Sequence, residues 1–475
     1  MKKNGFLSLL PPAALFCLVL FFIGGCGTRV MNENPPLTVP GSFSTTGRDP
    51  LPEKWWLAFQ DEKLNELMDK SLAGNFSLQM ARDRLEQARA VAGKSGADLL
   101  PALTSEAGLV HNSTKLSGRA TQTTTTYLLG LGASYEIDLW GRVRSVDQAA
   151  RLDLLAASED LQAAAVTLSA EVATTWFRLV EQQRQIELLH DQTATNEKYL
   201  DLVTHQFGSG QVPVTDVLQQ RQILETSKAN MISAETAGQL LLHQLAILTG
   251  SAPQAFQPPV PGTLTSPPPL PDTGLPAELV QRRPDIRRAY FRVRAADKRV
   301  SAAIADRFPR ISLSAQAETS GNAPSDLFNN WLNTLAGNLT APLFDGGRRK
   351  FEMERTKSAA KETLHNYGQT IIIAFKEVED ALHAESQQRK LLENLESRIV
   401  LSSQSTEQIK VRYIHGAMDF LRFLTALISH QELQRSFIRA QRELIEYRIN
   451  LCRALAGGWQ LERAPATARE SHNAS

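Results

Sequence analysis

Cysteine is nearly absent from this chain of 475 residues, which contains three. Cys17 and Cys26 belong to an apolar N-terminal segment, and Cys452 lies in a run with helical spacing. If Cys17 is removed with that segment and Cys26 is modified, only Cys452 remains, so an intrachain disulfide is excluded. We interpret Cys452 as a small core residue.

An excess of charge of one sign is also missing. The 51 Lys and Arg residues balance 50 Asp and Glu residues, which leaves a net charge of +1. Nucleic-acid-binding domains usually carry a clear basic excess, so nucleic acid is excluded as a partner. The nine His residues are scattered, and no HExxH motif, phosphate-binding loop or nucleophile elbow occurs. The sequence therefore predicts no enzyme, no cofactor and no metal site.

Long apolar runs are missing after the N-terminal segment. No stretch of 18 or more apolar residues follows it, so no membrane-spanning helix is expected in the mature chain. A protein that enters a bilayer without such helices must use strands closed into a barrel, because every backbone polar group needs a partner there.

The N-terminus has the pattern of an export signal. Lys2 and Lys3 precede an apolar run at 6–23, which ends in small residues before Cys26. This arrangement resembles a bacterial lipobox and implies cleavage before Cys26, acylation of that residue and anchoring in outer-membrane lipids. Gly27, rather than Asp, implies the outer membrane. An uncleaved membrane anchor, with Cys26 as a bystander, is the alternative.

A strand that leads into a long helix is the central pattern of the chain. Apolar residues occupy every second position over 127–139, which is the period of a strand with one apolar face. A helical run without Pro or Gly follows from Arg142 to about 207. The same change of period occurs after the alternating residues 335–343. At 1.5 Å per residue, roughly 65 residues would extend about 100 Å.

Each long helix is expected to turn back on itself. Residues 207–213 contain Gly208, Gly210 and Pro213, which break a helix, and a returning helix is predicted from about 214 to 248. Two long antiparallel helices joined by a tight turn form a coiled-coil hairpin.

The second half of the chain repeats the first. The turn glycines and the junction arginines are each separated by 206 residues, and the prolines and alanines of the preceding segments are separated by 208. These pairs are Gly210 with Gly416, Arg142 with Arg348, Pro101 with Pro309, and Ala81 with Ala289. A shared offset of this kind indicates internal duplication.

Duplication predicts only four strands per chain. A closed barrel needs about eight or more strands, and open strand edges cannot lie in a bilayer. Three copies would supply twelve strands, an even number that permits closure. We therefore predict a homotrimer in which the sheets form one barrel and the helical hairpins form a second.

Several segments together resemble one known family, the TolC-type outer-membrane efflux proteins, in the lipoprotein subgroup of OprM and NodT. Those segments are 55–59 (WWLAF), 134–142 (SYEIDLWGR), 281–286 (QRRPDI), 308–313 (FPRISL), 342–348 (PLFDGGR) and 454–459 (ALAGGW). The resemblance implies a mainly α fold with a small β part: a trimeric outer-membrane β-barrel with four strands per chain, and a periplasmic α-barrel.

The resemblance also implies a function. Such proteins are passive exit ducts for small molecules that an inner-membrane pump and a periplasmic adaptor deliver. A duct for type I protein secretion remains the alternative within this class. A surface-anchored coiled-coil structural trimer is the alternative outside it, although the strand pairs in both halves disfavour it.

The resemblance places a periplasmic gate at the two helical turns. Asp216 follows the first turn and Tyr413 precedes the second. We predict that Asp216 accepts a hydrogen bond from Tyr413 in the closed state, so that Asp216→Ala would raise resting conductance. The alternative is that both residues are solvated at the turns.

The residues after the second turn depart from the family pattern. Relatives often carry acidic residues where this chain has Arg422 and Thr425. Leu421 and Thr425 are four residues apart and share one helix face. Three copies of Arg422, if they point inward, would form a basic ring that favours anions. In the alternative, Arg422 faces a neighbouring helix or the adaptor, and Leu421 sets an apolar constriction.

These patterns predict six regions along the chain. The first two are a lipoprotein signal peptide and a lipidated tether, and the last is a disordered tail. Between them lie two efflux repeats joined by a Pro-rich linker. In order, the bounds are 1–25, 26–52, 53–250, 251–276, 277–460 and 461–475.

Overall fold

The computed structural model describes residues 37–50, 52–257, 259 and 262–455. The predicted signal peptide, Cys26 and the predicted tail at 461–475 lie outside the described residues. The described residues divide into two compact units. One contains 101–146 and 297–358, and the other contains the described residues of 37–100, 147–296 and 359–455.

The first unit contains a four-stranded antiparallel sheet in the order β1-β2-β3-β4. The strands are β1 (Ala102–Thr114), β2 (Gln122–Ile137), β3 (Arg310–Gly321) and β4 (Trp331–Thr340). Each repeat contributes one β-hairpin, and the two β-hairpins are joined by the pairing of β2 with β3, in which Ile137 lies opposite Ile311. The prediction of two strands per repeat is confirmed.

One face of this sheet is apolar across all four strands. Leu103 pairs with Ala133, Ala133 with Ala315, and Ala315 with Leu335, so these residues share a face. Leu103 and Leu335 are 76% and 84% exposed within one chain. Apolar side chains left uncovered in a single copy require an apolar environment or a partner.

The helices form two pairs of equal length in the two repeats. They are α1 (Glu62–Gly74), α2 (Phe76–Ala97), α3 (Arg142–Gly208), α4 (Val214–Leu248), α5 (Pro276–Arg282), α6 (Pro284–Ala305), α7 (Arg348–Ile414) and α8 (Phe420–Ala454). Helices α3 and α7 each have 67 residues, and α4 and α8 each have 35. Every bound of α7 and α8 lies 206 residues after its counterpart, which confirms the duplication.

No helix among the described residues combines the length and the apolar character that crossing a bilayer would require.

The change from strand to helix is stabilised by an aspartate in each repeat. The Asp138 carboxylate accepts hydrogen bonds from the backbone N–H groups of Val143 (3.0 Å) and Arg144 (2.8 Å) at the start of α3. Asp345 similarly accepts from Gly347 (2.9 Å) and Arg349 (3.3 Å) at the start of α7. A carboxylate at this position pairs otherwise unsatisfied donors and complements the helix dipole. These bonds lower the pKa of Asp138 against the opposing effect of burial.

The second unit has three apolar clusters. The first surrounds a short 3-10 helix, Trp55–Phe59, and includes Trp176 and Phe177. Cys452 belongs to it, is 3% exposed, and has a pKa raised to about 12 by burial. The interpretation of Cys452 as a core residue is confirmed. A second cluster joins α5, α6 and α7, and the third lies at the helical turns.

Candidate gate at the helical turns

Both helical turns end their long helix in the same way. Gly210 and Gly416 adopt φ values of +74° and +70°, a region that other L-residues rarely enter. In the first turn the N–H of Gln211 donates to the carbonyl of Gln206 at 2.9 Å. In the second, the N–H of Ala417 donates to the carbonyl of Arg412 at 2.9 Å. This bonding satisfies the terminal carbonyls and lets the chain reverse within a few residues.

The cluster at the turns contains aromatic residues from three helices. The rings of Tyr413 and Phe423 stack with centroids 5.6 Å apart. Tyr199 of α3 meets Phe423 edge-on at 4.9 Å, and Phe420 lies 5.5 Å from Tyr413. Val203 is also buried here. Because α3 belongs to the first hairpin and α8 to the second, this cluster joins the two turns within one chain.

The sequence predicts that Tyr413 donates a hydrogen bond to Asp216, but the structure shows a different acceptor. The Tyr413 hydroxyl donates a hydrogen bond to Oε1 of Gln206 at 2.7 Å. A hydroxyl has one proton, so the predicted bond to Asp216 is absent from this structure. The residue of the first hairpin that binds Tyr413 comes from the end of α3, before the turn, and not from the start of α4.

Asp216 nevertheless lies within electrostatic reach of Tyr413. Burial raises the pKa of Tyr413, and the negative charge of Asp216 raises it further. Burial also raises the pKa of Asp216; its hydrogen bond with Thr215 opposes this, and the charge of Asp419 adds to it. Two carboxylates, one from each hairpin, therefore repel each other at the turns.

Leu421, Arg422 and Thr425 lie on the exposed side of α8. Phe423 and Leu424, between them, are buried in the cluster. Asp419 accepts a hydrogen bond from the Arg422 backbone N–H at 2.7 Å, and Thr425 donates its hydroxyl proton to the Leu421 carbonyl at 2.8 Å. The structure therefore groups these three residues apart from Tyr413. That they line a pore stays a prediction.

A buried amide network lies along α3 from the turns. Asn196 is fully buried, and its Nδ2 donates to the Ser227 hydroxyl at 2.7 Å. Gln431 of α8 donates to the Asn196 side-chain oxygen at 3.3 Å. Gln192 donates to the Gln431 carbonyl at 3.1 Å, and Arg435 donates to Gln192 at 2.6 Å.

Sequence reasoning missed this network and Gln206. A signal was present for the network, because Asn196 and Gln431 are polar residues that interrupt apolar helix faces. Buried amides need complete partners, so they favour one alignment of two helices over its neighbours. No comparable signal marked Gln206, which lies 207 positions from Tyr413.

These features agree with comparisons to known proteins. The model for outer membrane efflux proteins matches residues 67–251 and 275–457. The chain belongs to this family. One match corresponds to each half of the chain, and members of the family are channels rather than enzymes.

The relatives cover almost the whole chain. The pyoverdine export outer membrane protein OpmQ of Pseudomonas aeruginosa is 29% identical, with 94% of this chain and 96% of that protein covered. Outer membrane protein OprJ of the same organism is 31% identical, with the same coverage of both. The solved outer-membrane channel OprN aligns with a TM-score of 0.84 at 27% identity, covering 91% of this chain and 99% of that one.

The family resemblance, the mainly α fold and the outer-membrane location that the sequence predicted are confirmed. The protein is an outer-membrane efflux channel.

Proposed function

We propose that three copies of this chain form a passive exit duct for small molecules. An inner-membrane pump supplies the substrate, and a periplasmic adaptor connects the pump to the duct. The similarity to a pyoverdine export protein supports a small-molecule substrate over a secreted protein. The lipidated tether at 26–52 would hold each copy in the outer membrane, and no catalytic step is required.

The observation that carries the proposal is the four-stranded sheet. Its outer strands, β1 and β4, each pair on one side only among the described residues. Such edges are not stable in a bilayer, and four strands are too few to close. Identical copies can satisfy the edges, because β4 of one copy can pair with β1 of the next.

The two faces of β4 provide a matched test. Leu335 lies on the apolar face, whereas Thr334 points to the opposite face beside Gln316. If the apolar face meets lipid, Leu335→Lys should cost about 2–4 kcal/mol near the bilayer midplane, and Thr334→Lys should be tolerated. The fraction of heat-modifiable trimer in detergent extracts of outer membranes measures this difference.

Two further measurements test the function itself. Purified trimer should conduct ions across planar bilayers, and a strain that lacks the protein should become more sensitive to a small toxic substrate. A protein that is monomeric and does not conduct would overturn the proposal. A conducting trimer whose loss blocks only protein secretion would favour the type I alternative.

A further inference from the structure

Within one chain, the two hairpins meet along a seam between α3 and α8. Gln185 of α3 donates to the Arg435 carbonyl of α8 at 2.8 Å. Farther along, Arg442 binds Glu181 at 2.9 Å, and Arg178 binds Glu446 at 2.6 Å. The internal seam is therefore amide-rich near the turns and ionic farther away.

The duplication defines an equivalent pair of helices that this seam leaves unused. Helix α7 corresponds to α3, and α4 corresponds to α8, with one offset of 206 and equal lengths. Leu391, Arg398, Glu225 and Ala229 are the residues equivalent to Gln185, Gln192, Gln431 and Arg435. All four are exposed in the single chain. The unused edges therefore carry, at the matching positions, exposed side chains that a second copy could contact.

We propose that α7 of each copy packs against α4 of the next in the register of the internal seam, with Arg398 paired to Glu225 of the partner subunit. This proposal rests on the trimer of the proposed function and identifies how its helical part is joined. Within its own chain Glu225 contacts Lys228 at 3.0 Å, and Arg398 forms no ion pair among the described residues.

The internal seam and the proposed seam between copies carry different side chains at equivalent positions along the helices. Where the internal seam has the ion pairs of Arg442 and Arg178, the equivalent residues are Gln387 with Thr236 and Ala384 with Leu240. Where the internal seam has buried amides, the equivalent pair is Arg398 with Glu225. A hairpin placed in the wrong seam would put Arg442 or Glu446 against apolar or uncharged side chains. Such unpaired charges penalise the wrong order of hairpins.

The contact is also directional. A surface on α7 meets a different surface on α4, so each copy offers one of each, and a ring of copies can close. A two-fold arrangement would instead use one surface on both copies and would close at a dimer, so it could not give covalent trimers.

Cysteine crosslinking separates these arrangements. The variant Leu391→Cys/Ala229→Cys, treated with a short bismaleimide in outer membranes, should give covalent dimers and trimers on denaturing gels. Each single variant should give none, because the proposed contact joins two different positions, and the covalent trimers show that it is directional. Cys452 is buried, and wild-type protein controls for its background.

The ion pair is tested in the same background. Arg398→Glu places two carboxylates opposite each other, so most of the crosslinked species should be lost. Adding Glu225→Arg should restore it by reversing the pair. The matched control is Arg184→Glu, at an exposed position of α3, which should leave the crosslinked yield unchanged.

The outcomes distinguish the two proposals. A trimer that conducts but gives no crosslink in the double variant, or gives crosslinks in the single variants, overturns this seam and leaves the duct intact. A yield that Arg398→Glu does not lower overturns the ion pair. Protein that is monomeric before any treatment overturns both proposals.

Discussion

Tyr413 contributes to the packing of the turns through both its ring and its hydroxyl. The ring stacks on Phe423, and the hydroxyl donates to Gln206 of the other hairpin. These contributions can be separated, because Phe keeps the ring and removes only the bond.

We expect Tyr413→Phe to raise resting conductance in planar bilayers. A net hydrogen bond contributes about 1 kcal/mol, so the population of separated turns should rise roughly fivefold. Tyr447→Phe, in α8 and outside the cluster at the turns, is the control and should have no effect. Equal conductance of wild type and Tyr413→Phe would show that this bond does not hold the turns together.

The ionisation of Asp216 should make the resting conductance depend on pH. Its pKa in the folded protein is raised above 3.8 by burial and by Asp419, so ionisation weakens the packing of the turns. The packed turns are therefore most stable when Asp216 is protonated. This contribution is complete below the pKa of Asp216 in the unfolded chain, and it is lost as the pH rises through the raised pKa of the folded protein. Resting conductance should therefore increase with pH over this acidic range.

Asp216→Asn should abolish that increase and hold conductance at the low-pH level, since the amide cannot ionise. Asp201→Asn, at an exposed position of α3, should keep the wild-type profile. This prediction is opposite to the expectation from the sequence, in which losing the Asp216 carboxylate opens the duct. An increase in conductance for Asp216→Asn would support the original expectation instead.

Arg422 tests the alternative readings of the constriction. If three guanidinium groups line the pore, Arg422→Ala should shift the reversal potential in a salt gradient toward cation preference. Leu421→Ala should change conductance without that shift, because it removes bulk and not charge. An unchanged reversal potential in Arg422→Ala would exclude Arg422 from the pore.

At the scale of elements, a buried arginine of α8 binds the Pro-rich linker. Arg448 of α8 is fully buried and binds Glu385 of α7 at 2.9 Å. It also donates to the carbonyls of Pro268 and Pro269. A segment without periodic structure is thus fixed to both helices of the second hairpin by one side chain.

Arg448→Met should destabilise the protein by about 3–5 kcal/mol, because the buried Glu385 carboxylate loses its buried partner and keeps only a largely exposed one. Arg389 also binds Glu385, at 2.8 Å, but its side chain is 49% exposed. Arg389→Ala should therefore cost only about 0–1 kcal/mol. Thermal unfolding followed by circular dichroism measures both, and equal losses would contradict a special role for burial.

The bounds of the helices followed closely from the sequence. The returning helix predicted at 214–248 is α4, and the first long helix ends at Gly208, one residue beyond the predicted end. Such bounds depend on neighbouring residues: helical periodicity, a turn glycine and a proline. The pairing of β2 with β3 depends on residues far apart in the chain, and no local pattern predicted which strands would be neighbours.

At the scale of the whole molecule, the lipid anchor is still a prediction from sequence. We expect Cys26→Ser to abolish incorporation of labelled palmitate, since the thioether and the acylated amine both require that residue. Cys452→Ala should retain the label, because Cys452 is buried. Label that persists in Cys26→Ser would favour the uncleaved anchor.

The sequence alone determined the duplication, the two long hairpins, the four strands and the family, because each is expressed in periodicity, turn residues and motifs along the chain. Only the tertiary structure decided that Tyr413 binds Gln206, that amides align α3 with α8, and that Arg448 fixes the linker. Those contacts join residues that are far apart in sequence. Which residues meet depends on how the packed helices align, and the local sequence pattern does not determine that alignment.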